Sequence, residues 1–76
     1  MEKLITYLNQ KLKKERFEVL MLAVLDEEFE YEVEAVIRLG GKNYVTITCM
    51  EKWLLDENFE KYADKVFNVL TEKVSI

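Results

Sequence analysis

Hydrophobic and polar positions follow three successive rhythms along this chain. In residues 2–14, Leu4, Ile5, Leu8 and Leu12 recur three or four apart. That spacing predicts an amphipathic helix with one buried face. Its lysine-rich end suits the negative pole of a helix. Residues 17–25, FEVLMLAVL, are almost continuously apolar. With acidic turn residues and a clear strand behind them, they read as a buried strand. In residues 29–39 the rhythm is strictly two: Phe29, Tyr31, Val33, Ala35 and Ile37 alternate with Glu30, Glu32, Glu34 and Val36. That is a half-buried strand. Gly40-Gly41 marks a tight turn, and the β-branched run 43–50 is a third strand. Residues 58–74 return to helical spacing through Phe59, Tyr62, Ala63, Val66, Phe67, Leu70 and Val74. Before them, Thr48-x-x-Glu51 has the form of a capping box that would start a short helix, and Asp56 and Asn58 are candidate caps for the longer one. The expected order is α-β-β-β-α with an extra helical turn: an α+β domain over residues 1–76, its helices covering one face of a three-stranded antiparallel sheet.

Register decides which side chains that sheet leaves uncovered, because a one-residue slip moves every side chain to the other face. A three-residue loop Leu39-Gly40-Gly41 sets Ala35 opposite Val45 and Val33 opposite Ile47, so the apolar faces coincide. A two-residue loop sets Ile37 opposite Tyr44 and sends Val45 and Ile47 to the glutamate face. The odd loop is the expectation. By the same reasoning, a loop of Asp26-Glu27-Glu28 sets Met21 against Val33 and Ala23 against Tyr31. The open face then carries Glu18, Leu20, Leu22 and Val24 from the first strand. The second adds Glu30, Glu32, Glu34 and Val36, and the third Tyr44, Thr46, Thr48 and Met50. Leu20, Leu22 and Val24 would form an exposed apolar patch, the usual mark of a partner surface. A homodimer seam, or Trp53-Leu54-Leu55 folding over the patch, would also account for it.

Charge sharpens the picture. The 76 residues carry a net charge of −4. Residues 1–16 hold five bases and two acids, residues 38–76 six of each, and residues 17–37 seven acids with no base. A wet sheet face needs polar residues at alternate positions, and glutamate serves there for solubility alone. Yet glutamate is a poor strand former, and a solubility face usually mixes signs. The functional alternative is an acidic strip, Glu28, Glu30, Glu32 and Glu34, that occupies a basic groove on another protein. Alternate strand residues are roughly 6.6–6.8 Å apart. Phosphates on one DNA strand are spaced about 3.4 Å, so every second phosphate nearly matches, as it would for any strand.

Catalytic chemistry is sparse. Without histidine the chain lacks the usual general base and the commonest metal ligand. The single Cys49 has no His to activate it and is expected on the core face. A flat glutamate strand does not wrap the 6–8 oxygens that Ca²⁺ takes, and Gly40-Gly41 is a hairpin turn rather than a phosphate loop. No enzyme activity and no cofactor are expected. One cysteine, no apolar run of roughly 18 residues and no signal-peptide pattern point to a soluble cytoplasmic protein without membrane attachment.

Two families are similar in parts. Residues 29–45, with GGKNYV after an alternating strand, resemble the central hairpin of the double-stranded-RNA-binding domain, which shares the α-β-β-β-α order. That family grips phosphates with a basic start to its last helix. Residues 51–57 here read EKWLLDE, and the only basic cluster is Lys11, Lys13, Lys14 and Arg16 at the end of the first helix. Direct nucleic-acid binding is therefore not expected. In length, element order and acidity the whole chain also resembles small acidic phage-encoded inhibitors of bacterial defence, the anti-CRISPR proteins. That resemblance implies that Glu28, Glu30, Glu32 and Glu34 face the basic DNA-reading groove of an RNA-guided nuclease.

The leading expectation is a non-enzymatic inhibitor or adaptor that binds a host protein, a nucleic-acid-binding enzyme or nuclease. Its surface would be Glu28, Glu30, Glu32, Glu34, Leu20, Leu22, Val24 and Tyr44. The alternatives are a structural homodimer joined through Leu20, Leu22 and Val24, and a degenerate RNA-binding module.

Overall fold

A computed structural model of the chain describes residues 2–72 and 74. Its elements are α1 (Glu2–Lys14), β1 (Glu18–Asp26), β2 (Glu30–Leu39), β3 (Lys42–Glu51), α2 (Lys52–Glu57) and α3 (Phe59–Glu72). The sheet is antiparallel in the order β1-β2-β3. The α+β architecture expected from the sequence is the one observed. Residue 73 of the expected last helix lies outside the described residues.

Leu4, Leu8 and Leu12 of α1 are almost fully buried and meet Ala63, Val66, Phe67 and Leu70 of α3 over Val33, Ala35 and Ile37 of β2. α1 and α3 each have one apolar stripe and β2 one wholly apolar row, so these bury together in a single layer. A polar clasp joins the helices: Tyr7 donates to Asp64, and the Lys11 ammonium lies 2.5 Å from the same carboxylate. Lys11 and Tyr7 hold the Asp64 carboxyl below its usual range, and Asp64 in turn raises the phenol and the ammonium. α1 stops without glycine or proline. Arg16 takes the left-handed conformation (φ 68°), so that Arg16 N–H donates to Lys13 and Phe17 N–H to Leu12. Those two bonds are a Schellman stop, which satisfies carbonyls the helix leaves open.

Register is where sequence and structure part. The β2–β3 loop has two residues, with Leu39 paired to Lys42, Ile37 to Tyr44, Ala35 to Thr46 and Val33 to Thr48. Gly40 and Gly41 have φ of 60° and 81°, the paired positive values of a type I′ turn. The twist of that turn matches the strands it joins, and this geometry outweighs the coincidence of apolar faces that favoured a longer loop. Val45, Ile47 and Cys49 therefore lie on the glutamate face. Tyr44, Thr46, Thr48 and Met50 turn toward the helices.

β1 differs as well. Its loop is Glu27-Glu28-Phe29, and a bulge at Leu20 shifts the pairing. Val19, Leu22 and Val24 pair with Ile37, Ala35 and Val33 and pack against the core, while Met21 pairs with Val36 and Ala23 with Glu34. A bulge absorbs one residue of a strand, so side chains three apart, Val19 and Leu22, share a face. Leu22, Val24 and Tyr44, expected on the open face, are thus on the covered one, so Leu20, Leu22 and Val24 do not share one exposed patch. Thr48 stays within β3 rather than opening a capping box, and α2 starts behind Glu51 without a side-chain cap. Asn58 does cap α3, its Oδ1 accepting from Lys61 N–H at 3.4 Å.

Among the described residues the observed register leaves one buried side-chain polar atom stranded: the Thr46 hydroxyl has no hydrogen-bond partner. An unsatisfied buried hydroxyl costs about 1–3 kcal/mol. Thr46→Val keeps the shape and removes that cost, so urea unfolding should show a gain of about 1 kcal/mol or more. A loss of stability would mean that the hydroxyl is paired and the register different.

Candidate protein-binding face

The sheet face away from the helices is built in rungs across the three strands. At the hairpin end, Arg38 ties the strands together, lying 3.6 Å from Glu18 and donating from Nε to Asn43 Oδ1 at 3.0 Å. The next rung is apolar: Met21, Val36 and Val45. Then come Ala23-Glu34-Ile47 and Leu25-Glu32-Cys49, and finally Glu30 opposite Glu51. The face grades from apolar at the Gly-Gly turn to acidic at the β1–β2 turn. Among the described residues no helix or loop covers its middle, where Val45 is 63% and Ile47 59% exposed, with Met21 and Leu25 at 43% and 42%.

The acidic end continues into the β1–β2 turn. Glu27, Glu28, Phe29, Glu30 and Glu32 line a shallow concavity there. Phe29 is 74% exposed amid these carboxylates. The strand begins only at Glu30, so Phe29 escapes the alternation that carries Tyr31 toward the core. Nearby bases are engaged elsewhere: Lys52 pairs with Asp26 and sits over the Tyr31 ring, and Arg38 with Glu18. Among the described residues, no Lys or Arg is ion-paired with Glu30, Glu32 or Glu34. Glu51 is opposed by Glu30, and its carboxylate accepts from Trp53 Nε1 at 2.5 Å.

Of the residues expected to form a binding surface, Glu28, Glu30, Glu32 and Glu34 come together on this face and its adjoining turn. Leu20 is exposed in the bulge. Leu22, Val24 and Tyr44 do not join them. Met21, Leu25, Phe29, Val45, Ile47 and Cys49 take their place. Val45 and Ile47 were within reach of the sequence through the Gly-Gly signature of a two-residue hairpin. Met21 and Leu25 were not, because β1 is apolar on both faces and its bulge leaves no periodic trace. Trp53-Leu54-Leu55 does not fold over the face: Leu55 is buried in the core, against the helices.

No Asp, Glu, Cys or His cluster suited to a metal ion occurs among the described residues, nor does any helix long and apolar enough to cross a membrane. No protein-family model matches this chain, and comparison with curated proteins and with solved structures returned no match.

Cys49 reports on the face's electrostatics. Local desolvation raises its thiol pKa, and the negative charges of Glu30 and Glu32 raise it further. The reactive species is the thiolate, so at pH 8 Cys49 should alkylate with iodoacetamide more slowly than a free cysteine. Glu30→Gln with Glu32→Gln should accelerate the reaction. Equal rates in the two proteins would show that the carboxylates do not act on the thiol.

Proposed function

We propose that this chain is a non-enzymatic binding module that sets its acidic sheet face into a basic, nucleic-acid-binding site of another protein and so blocks that site. One observation carries the reading: Glu30, Glu32 and Glu34 stand in a row on an uncovered sheet face with no paired base. Carboxylates in that state are free to accept charge-assisted hydrogen bonds from Arg and Lys, and their joint field steers a basic partner onto the face. Met21, Leu25, Phe29, Val45 and Ile47 supply the apolar area that an interface centre needs. Those same neighbours lower the local dielectric, which strengthens each carboxylate's attraction to an arriving cation. The resemblance to anti-CRISPR proteins in length, element order and acidity implies an RNA-guided nuclease as the specific partner.

The test is capture from a lysate of the cells in which the protein occurs, at low and high salt, with duplex DNA as competitor. Nucleic-acid-binding proteins should be retained at low salt and displaced by either salt or DNA. Close charge pairs at interfaces couple by about 1.5 kcal/mol or more each. The triple variant Glu30→Lys/Glu32→Lys/Glu34→Lys should therefore weaken capture by more than about 100-fold while keeping the far-UV dichroism of the parent. Retention indifferent to both the reversal and the DNA contradicts the reading.

A further inference from the structure

The outer edge of β3 is an unusually receptive one. It runs ten residues from Lys42 to Glu51 and carries no charge between its ends. Natural edge strands are usually blunted by proline, inward charges, bulges or short length. β1, the other edge, has its bulge at Leu20, whereas the β2–β3 ladder is regular throughout. The backbone phase of β3 is also fixed. In a two-residue hairpin the flanking pair, Leu39 and Lys42, exchanges hydrogen bonds, so even-numbered residues of β3 bond inward to β2. The Lys52 N–H to Phe29 carbonyl bond, 3.0 Å, continues that phase. The N–H and C=O groups of Asn43, Val45, Ile47 and Cys49 therefore point outward.

The geometry points to a second copy of this chain as the occupant of that edge. The two β3 strands would pair antiparallel about a twofold axis through Ile47. In this register Ile47 meets Ile47, Val45 meets Cys49, Thr46 meets Thr48 and Tyr44 meets Met50. At both ends Asn43, already held by Arg38, meets Glu51 of the other copy. Charge selects this edge. Glu51 is opposed by Glu30 in its own sheet, and Asn43 of a second copy, its Oδ1 already held by Arg38, turns a neutral N–H donor toward it instead of a second acid. The same centred pairing of two β1 strands would set Glu18 against Asp26 at each end, acid on acid. Two open faces pressed together would likewise oppose their glutamate rows. Edge pairing avoids both. It joins six strands into one sheet, keeps all helices on one side, and places two Glu30-Glu32-Glu34 ladders on the other.

Sedimentation equilibrium and amide hydrogen exchange on the whole chain test this. A species of twice 9.1 kDa should form with rising concentration. The amides of Val45, Ile47 and Cys49 should become protected as it forms. Ile47→Pro removes only an outward N–H, which an edge strand tolerates, and should return the protein to monomer. Val45→Cys reads the register, since Cα atoms of a hydrogen-bonded pair are about 5.5 Å apart, within disulfide reach. Mild oxidation should link it to Cys49 of the second copy. This link decides the matter if Ile47→Pro does not fold. A monomer at every concentration, a dimer that survives Ile47→Pro, or no Val45→Cys cross-link overturns the proposal. None of these outcomes bears on binding of a basic partner, which is read separately by charge reversal.

Discussion

The two-residue turn at Gly40-Gly41 sets what every residue of β3 does. With φ positive at both glycines, the chain reverses in a type I′ geometry, and Leu39 must pair with Lys42. All pairings from Arg38–Asn43 to Glu30–Glu51 then follow. That register gives β3 a polar inward row, Thr46 and Thr48, and an apolar outward row, Val45 and Ile47. The arrangement runs against simple core economy, as the stranded Thr46 hydroxyl shows. The core tolerates it because helix leucines and the Val33-Ala35-Ile37 row of β2 already fill the layer.

The exposed face follows from the same constraint. Two of the three glutamates of β2 are flanked by uncharged neighbours, Ala23 and Ile47 beside Glu34 and Leu25 and Cys49 beside Glu32, while Glu30 faces Glu51. Without that register Thr46 and Thr48 would stand beside the carboxylates, and the face would be an ordinary wet one. An acidic row set among apolar side chains is instead half-buried, unpaired and chemically suited to a basic surface. Its field also reaches Cys49, adding to the local desolvation that raises the thiol pKa.

Much of the fold was legible in the sequence. The spacing of Leu4, Leu8 and Leu12, the alternation of Val33, Ala35 and Ile37, and the stripe from Phe59 to Leu70 carry a single period each. All of these residues went where their period sent them. The acidic ladder was legible for the same reason. Two other features left no periodic trace. β1 is apolar at nearly every position, so neither its facing nor its bulge could be read, and Leu22 and Val24 were assigned to the wrong side. β3 alternates β-branched residues on both faces, so its facing rested on the turn, and two glycines permit more than one loop length. The end of α1 was legible as well: the helix expected over residues 2–14 spans Glu2–Lys14, even though an arginine occupies the left-handed position that glycine usually marks.

Register therefore underlies the exposed acidic face, the docking of a basic partner proposed for it and the phase of the β3 edge. Nuclear Overhauser contacts between α-protons measure it most directly, because non-hydrogen-bonded antiparallel pairs bring Cα atoms to about 4.5 Å. Strong contacts are predicted between Val36 and Val45, Glu34 and Ile47, and Glu32 and Cys49. Contacts linking Ala35 with Val45 and Val33 with Ile47 would contradict the account, because they would return Val45 and Ile47 to the core and leave the glutamates on an ordinary solvated face.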